Sequence, residues 1–334
     1  MGWVGLATPP TRSSFRQWAD AALLRRLLLP LLILLLLPVP AAAQKMIALS
    51  FDDVPRARGA FFTPDERTQR IVAQLKAANA PQAVFFVNPG AIGHGDGVGG
   101  AERIAAYVAA GHVIANHSNS HPRLSTTDTA AYLADIDAAA AWLKDRPGYR
   151  PWFRFPFLDE GGKDKVKRDA LRTGLVARGL RNGYVTAESS DWHLEALTRE
   201  AAKTGKPIDR KALGDLYVTW HVEAADFADA MLQRVTGRQP VQTMLLHETD
   251  LAALYIGDLV RALRKAGWTV VSADTAYADP IGNAMPDTPS ANGTLTEALA
   301  WQAGVPAPRW YRYNQTDLAT AVFRDKVLGE SDAE

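Results

Sequence analysis

The sequence contains no cysteine among its 334 residues. This absence excludes disulfide bonds, catalysis by a thiolate, zinc sites built on cysteine and a lipid-modified cysteine near the N-terminus. Any metal ion that the protein binds must therefore be held by histidine, aspartate or glutamate.

The sequence also lacks an excess of charge of either sign. It carries 37 lysine and arginine residues against 36 aspartate and glutamate residues, a formal net charge of +1. No basic surplus would attract nucleic acid or an anionic membrane. Hydrophobic residues make up 47% of the chain and charged residues 22%, the balance of an ordinary globular protein. We therefore expect a folded protein without a nucleic-acid partner.

One apolar run stands out, near the N-terminus. Arg25 and Arg26 precede the run from Leu27 to Leu37, which is followed by prolines and three alanines ending at Ala43. This layout is typical of a secretory signal peptide, so residues 1–43 are predicted to be removed after Ala43. The alternative is an uncleaved anchor, but the run is short for a span of about 20 residues. The mature protein is predicted to be periplasmic or extracellular, without stable membrane association.

Short apolar runs alternate with longer segments of helical periodicity between residues 46 and 276, the pattern of an α/β fold. Strands are predicted over residues 46–51, 83–87, 112–116, 152–155, 183–186, 243–247 and 268–272. Helices are predicted over residues 66–78, 101–110, 128–144, 163–178, 213–235 and 251–265. Glycines at positions 111, 179 and 267 stand where a left-handed cap would end three of these helices.

This alternation predicts an α/β domain over residues 44–279, built on a parallel barrel or an open parallel sheet. The site of such a fold lies on the loops that follow the carboxyl ends of the strands. A polar span from Glu195 to Trp220 is predicted as an insertion on that face. Residues 280–334, with weaker helices over 294–303 and 316–328, are predicted as a C-terminal helical extension that packs on the domain.

Polar side chains gather where the predicted strands end. In chain order they are Asp52 and Asp53 after the first strand, His117 and His121 after the third, Arg154 on the fourth, Asp191 and Trp192 beyond the fifth, and His247 after the sixth. Because the carboxyl ends of parallel strands meet at one face, residues distant in sequence are expected to share one pocket.

Each of these features alone has a structural interpretation. Adjacent aspartates are common in turns and helix caps, and two histidines four positions apart can be surface or capping residues. Together, however, one carboxylate and two imidazoles form a common ligand set for zinc or another divalent transition metal. The spacing His117 to His121 resembles the His-Glu-x-x-His metalloprotease helix, but Ser118 occupies the position of the glutamate. Asp52 is then the candidate general base.

Five short motifs occur in order: SFDD at 50–53, HSNSH at 117–121, RFPF at 154–157, DW at 191–192 and LLH at 245–247. They resemble the five motifs of the polysaccharide deacetylase family, which has the NodB homology domain and is also called carbohydrate esterase family 4. The resemblance implies a deformed (β/α) barrel with one divalent metal ion held by Asp53, His117 and His121. Zinc is the first expectation, with cobalt, nickel or manganese as alternatives.

The resemblance also implies a role for each remaining motif residue. Asp52 would be the general base, held by Arg154, and His247 the general acid, oriented by Asp191. The backbone N–H of Phe157 would donate to the oxyanion. Trp192 and Leu245 would line the pocket for the acetyl methyl group. Many members of the family have tyrosine where this chain has Phe157, so a hydroxyl contact with the substrate is missing here.

The sequence thus predicts an exported, metal-dependent deacetylase that hydrolyses N- or O-acetyl groups of a glycan, such as peptidoglycan, a chitin-type oligomer or acetylated xylan. One alternative is a metal-dependent amidohydrolase or deformylase that acts on a non-sugar amide. Another is a glycan-binding protein without catalytic activity, although every catalytic position implied by the motifs is intact.

Overall fold

The computed structural model describes residues 1–3, 5 and 44–330. Apart from residues 1–3 and 5, the predicted signal peptide lies outside the described residues, so it stays a prediction. In the part of the chain that the structure describes, none of the helices combines the length and the apolar character needed to span a bilayer.

A parallel sheet of short, buried strands forms the centre of the fold. Its strands in spatial order are β6 (Arg181–Asn182), β4 (Tyr149–Phe153), β3 (Val113–Asn116), β2 (Val84–Val87), β1 (Met46–Val54) and β7 (Gln242–His247), and β8 (Thr269–Val270) also pairs with β1. Every residue of β2 and β3 is buried. Both faces of the sheet are covered, which is why these strands read as apolar runs rather than as alternating patterns.

The sheet closes on itself beyond β6. The backbone N–H groups of Thr186 and Ala187 donate to the carbonyl oxygen of Thr243 in β7 over 3.0 and 3.1 Å, and Ala187 forms a parallel bridge with Met244. The strand order therefore runs around a deformed (β/α) barrel, and the predicted fold class is confirmed.

The strand predicted over residues 183–186 is wrong in its position. The regular strand is Arg181–Asn182 alone, because the chain leaves β4 after Asn182 and crosses to β7. The bend at Gly183 needs a residue without a side chain, since a Cβ atom there would lie 2.6 Å from the ring of Phe86. Arg154, predicted on the fourth strand, lies directly after β4, which ends at Phe153.

Helices cover the barrel wall. They span Pro64–Ala77, Gly100–Ala109, Thr129–Leu143, Lys165–Ala177, Asp191–Lys203, Arg210–Thr236, Asp250–Lys265 and Ala273–Tyr277. The six helices predicted for the domain are found within three residues at each end. They begin at side-chain caps in several places, as at Thr63, which forms a capping box with Glu66.

The span Glu195 to Trp220, predicted as an insertion, is largely helical. It belongs to the helices Asp191–Lys203 and Arg210–Thr236. The apolar residues of this span recur at helical spacing, and Leu213 and Tyr217 are buried in the main core. The high proportion of charged residues hid this periodicity.

Residues beyond 279 pack against the barrel domain. They include β9 (Ala291–Asn292), which pairs with β5 (Asp159–Gly162), and the helices Leu295–Gln302 and Thr316–Leu328. The second helix buries Phe323 and Val327 in the main core. The extension thus lies beside the loops that carry the fourth and third motifs.

Candidate active site

Three potential metal ligands meet at the carboxyl ends of β1 and β3. Their ligand atoms lie within 4.8 Å of one another. The Oδ1 atom of Asp53 is 3.4 Å from Nε2 of His117 and 3.0 Å from Nε2 of His121. Loss of water around Asp53 would raise its pKa, but the imidazoles of His117 and His121 outweigh this effect and hold the pKa well below its usual value.

These three residues fit a divalent metal ion. The Oδ1 atom of Asp53 is buried and, among the described residues, has no partner with hydrogen-bond geometry. The Nδ1 atom of His117 lies 3.0 Å from the carbonyl oxygen of Arg154, so Nδ1 carries the proton and the Nε2 lone pair points to the cluster. A carboxylate and two imidazoles that converge without bonding to each other have the chemistry and spacing to hold a cation.

Asp52 lies beside this cluster with its two oxygen atoms in different environments. Its Oδ1 atom accepts a hydrogen bond from Nη1 of Arg154 over 2.8 Å. Its Oδ2 atom lies 3.6 Å from Nε2 of His117 and faces the cluster. Both partners of this ion pair are buried, Asp52 with 3% and Arg154 with 1% exposure. One oxygen atom of Asp52 is thus fixed by the protein, and the other points to the candidate metal site.

Arg154 is held from several sides. It donates to the hydroxyl of Ser50, to the carbonyl oxygen of Gly183 and to the hydroxyl of Tyr277 over 2.9, 2.7 and 2.6 Å. Sequence reasoning gave Ser50 no role although it begins the first motif, and it missed Tyr277, because a tyrosine within a short helix carries no motif signal. These contacts hold the guanidinium group of Arg154 in one orientation, in which it donates to Asp52.

His247 and Asp191 form a second acid–base pair on the neighbouring strand end. Nδ1 of His247 lies 2.7 Å from Oδ1 of Asp191, and the backbone N–H of His247 donates to Oδ2 over 2.8 Å. Burial lowers the pKa of His247, but the charge and hydrogen bond of Asp191 outweigh it and raise the pKa to about 9. Because His247 is the register partner of Asp52 across β1 and β7, the two pairs flank the same site.

The three residues predicted to bind the substrate differ in exposure. The side chains of Phe157 and Trp192 are 51% and 42% exposed, unusual for aromatic groups, whereas Leu245 is 4% exposed and belongs to the barrel wall. The ring of Phe157 packs edge-on against His121, with centroids 4.5 Å apart. The ring of Phe157 is therefore open to solvent beside the candidate metal site, and the ring of Trp192, next to Asp191 in sequence, is also open to solvent.

The turns that carry the motifs are strained. Among the described residues, seven other than glycine have positive φ, and six of them lie within or directly beside the motifs: Asp53, Ser118, His121, Phe157, Leu158 and Ser190. Left-handed backbone costs an ordinary residue about 1 kcal/mol or more, and such strain is concentrated at functional sites.

Glu188 is a further acidic group near His247 that sequence reasoning missed. Burial and the charge of Glu297 raise its pKa to about 7. Asn314, in the C-terminal extension, donates to its Oε2 atom over 3.2 Å. The only signal in the sequence was its position three residues before Asp191.

The fold and the site together define a (β/α) barrel with an Asp-His-His cluster beside two acid–base pairs. Comparison with known proteins agrees with this class. The family model described as polysaccharide deacetylase matches residues 40–177, which include the first three motifs. The chain is 26% identical over 168 residues to chitin deacetylase 1 of Cryptococcus neoformans, covering 48% of this chain and 32% of that protein.

Two solved structures are also similar to part of this chain. The chitin deacetylase of Colletotrichum lindemuthianum is 18% identical, with a TM-score of 0.48 and coverage of 71% of this chain and 89% of that one. A family 4 carbohydrate esterase from Streptomyces lividans, in complex with acetate, is 20% identical, with a TM-score of 0.44 and coverage of 71% and 97%.

Residues 40–177 are thus similar to the polysaccharide deacetylase family, in the part of the chain that carries the first three of its motifs. Proteins of this family are hydrolases that act on acetyl groups. The chain spans about a third of the length of the curated relative that it matches.

Proposed function

We propose that the protein is an exported, metal-dependent deacetylase that hydrolyses N- or O-acetyl groups of a glycan. The observation that carries this proposal is the placement of Asp52 and His247, each paired to a fixed partner, at adjacent strand ends beside the Asp53, His117 and His121 cluster. This arrangement offers a proton acceptor and a proton donor at one point. Export is proposed from the signal-peptide pattern of residues 1–43.

Asp53, His117 and His121 would hold the metal ion, with zinc favoured by the nitrogen and oxygen donors. A divalent ion there supplies Lewis acidity, which makes water a stronger nucleophile and polarises the acetyl carbonyl. Three protein ligands leave coordination positions open for water and substrate, as catalytic sites require.

The chain's own residues would move the protons. Oδ2 of Asp52 accepts a proton from the attacking water, while Arg154 keeps Oδ1 occupied and the carboxylate aimed. Nε2 of His247 gives a proton to the departing nitrogen or oxygen atom, and Asp191 holds the ring by Nδ1 and stabilises its charged form. The backbone N–H of Phe157 would donate to the oxyanion, and Trp192 would cover the acetyl methyl group.

The proposal predicts acetate release that depends on metal. The purified protein should carry close to one equivalent of divalent metal ion and should release acetate from an N-acetylated glycan. A chelator should abolish the activity and zinc should restore it, because without the ion the nucleophile is ordinary water. Acetate assays across a panel containing N-acetylated glycans and acetylated xylan distinguish amide from ester substrates.

His121→Ala provides the matched test of the ligand set. Removing one of three ligands should release most of the metal ion, measured by elemental analysis, whereas replacing the exposed His94 with alanine should not. Unchanged metal content in the His121 variant would exclude it as a ligand.

The pH profile should report the pair of His247 and Asp191. A general acid must be protonated, so activity is present below the pKa of about 9 and is lost as the pH rises through it. Asp191→Asn removes the charge that raises this pKa, so the basic limb of the kcat/KM profile should move down by at least about one pH unit. Asp137→Asn, which removes a surface ion pair with Arg178, is the control. An unmoved limb in the Asp191 variant would contradict the assignment of His247.

A further inference from the structure

A buried cluster of charged side chains lies outside the residues assigned so far. The side chains of Arg67, Glu248 and Asp250 are at most 1% exposed. Arg67 lies 3.3 Å from a carboxylate oxygen of Asp250 and 4.0 Å from one of Glu248, and the hydroxyl of Tyr107 donates to Glu248 over 2.8 Å. Buried ion pairs often contribute little net stability, because desolvation offsets their attraction. The role of this cluster is therefore to be found in the segment of the chain that it holds in place.

The cluster holds the loop of residues 55–62, which follows β1. Glu248 accepts the backbone N–H of Arg56 over 2.8 Å, and Arg67 donates to the carbonyl oxygen of Arg56 over 2.6 Å. Asp250 accepts two further backbone N–H groups of the loop over 2.7 and 3.0 Å. Asp250 packs so close to Gly59 that a Cβ atom there would collide with its carboxylate. The backbone on both sides of the Arg56 side chain is thus fixed by buried charges.

The fixed loop presents the Arg56 guanidinium at the candidate metal site. Nη1 of Arg56 donates to Oδ2 of Asp53 over 2.8 Å, and the side chain of Arg56 is 25% exposed. Within residues 44–330 this is the one side-chain hydrogen bond of Arg56, so Nε and Nη2 keep their donor capacity. A guanidinium on a rigid backbone loses little entropy when it binds a second partner.

A second arginine lies near the opposite ligand. Arg123 follows His121 by two residues, is 47% exposed and stacks over the ring of Phe157, with its Cζ atom 4.0 Å from the centroid. The carboxylate nearest to it, that of Asp159 at 4.0 Å, already accepts backbone N–H groups of Ser125 and Gly161 over 3.0 and 2.9 Å.

Together with a divalent ion, Arg56 gives the mouth of the site a surplus of positive charge. The two acid–base pairs are neutral in sum, and a divalent ion exceeds the single charge of Asp53. Glu188, with a pKa of about 7, contributes less than a full negative charge at neutral pH. The carboxylate of Asp159, 4.0 Å from Arg123, balances the charge of that arginine. The positive charge that exceeds the needs of metal binding is therefore that of Arg56. A substrate with negative charge would be attracted to it.

We infer that Arg56, assisted by Arg123, binds a carboxylate group of the substrate, so the preferred glycan is an acidic one whose carboxyl group lies close to the acetylated position. The inference rests on the proposed deacetylase function for the reaction itself. Arginine suits this task because its planar fork can donate two hydrogen bonds to one carboxylate. Carboxylate binding by Arg56 would restrict the preferred substrates from acetylated glycans in general to those with carboxyl-bearing sugar units.

The test compares one glycan with and without its carboxyl groups. The substrates are strands of alternating N-acetylglucosamine and N-acetylmuramic acid, and the same strands after reduction of the carboxyl groups to alcohols. The metal-loaded protein should show kcat/KM about 10- to 100-fold higher on the acidic strand, mainly through a lower KM, as a charged hydrogen bond allows. Arg56→Gln should reduce this acidic-to-reduced ratio by at least about 10-fold.

Arg58→Gln is the matched control, because Arg58 lies on the same loop with an exposed side chain. It should keep the ratio of the wild-type protein. Equal kcat/KM of the wild type on both strands would overturn the inference. So would an equal loss on both strands in the Arg56 variant, which would place its effect on Asp53 and the metal ion; elemental analysis of the variant checks this directly.

Calorimetric binding separates this inference from the proposed function. The dissociation constants of the two strands should differ in the same direction as the KM values, and Arg56→Gln should remove the difference. If neither strand released acetate but the acidic strand still bound more tightly through Arg56, the deacetylase proposal would fail while carboxylate recognition held. Equal dissociation constants would reject carboxylate recognition whatever the activity.

Discussion

Asp52→Asn is expected to lower deacetylation by at least about 100-fold while the metal ion stays bound. The substitution removes the proton acceptor that faces the cluster through Oδ2, and loss of a general base costs about 100- to 10,000-fold. The side-chain oxygen of asparagine can still accept the hydrogen bond from Arg154. Acetate release and elemental analysis of the same preparation measure the two effects separately.

The neighbouring substitution is the control for this result. Asp53→Asn should weaken metal retention, because it removes the charge of the one carboxylate in the ligand set. If Asp52→Asn lost metal and Asp53→Asn retained it, the two roles would have to be exchanged. Because Asp52→Asn leaves the buried charge of Arg154 without a counter-charge, the melting temperature of each variant must be measured and the assays run well below it.

His247→Ala is expected to nearly abolish hydrolysis of an N-acetyl sugar but to spare much of the turnover of an aryl acetate ester. An amine must be protonated before it departs, whereas a phenolate is a good leaving group without a proton. The raised pKa of His247, about 9, keeps the imidazole protonated at neutral pH and ready for this role. The kcat/KM values of the two substrates, measured on one preparation, give the comparison.

The control for His247 is His94→Ala, in an exposed loop, which should leave both rates close to those of the wild type. An equal loss on both substrates in the His247 variant would argue against a general acid. His247 would then contribute through its charge or through the hydrogen bonds that it makes with Asp191.

The helices of the barrel domain could be predicted well because their signals are local. Apolar residues at helical spacing, a capping threonine at 63 and glycines at 111, 179 and 267 mark helix ends without reference to the rest of the molecule. All three glycines have positive φ, as a left-handed cap requires. Within the span Glu195 to Trp220 the helical pattern was recognised only from residue 213 onward, because charged residues are interspersed among the apolar ones that pack in or against the core.

The identity of the site residues was also accessible, since metal ligands and proton carriers are restricted to a few residue types. What the sequence could not provide was the strain of the turns that present them. Ser118, His121 and Ser190 have positive φ without being glycine, so composition gives no sign of it. Such conformations persist only where surrounding contacts enforce them, as the side chain of Asn116 does by accepting the N–H of Ser118.

By itself the sequence determined the fold class, the helices of the domain and the residue types from which a metal site could be built. The reason is that periodicity, capping and ligand chemistry are properties of residues near one another or of single side chains. The tertiary structure alone decided where the barrel closes, how Arg154 is aimed and which loop Arg67, Glu248 and Asp250 hold. Those features depend on pairs that are distant in sequence, 102 residues apart for Arg154 and Asp52 and 183 for Arg67 and Asp250. A lone charged residue in a sequence looks the same whether it ends on the surface or in a buried cluster.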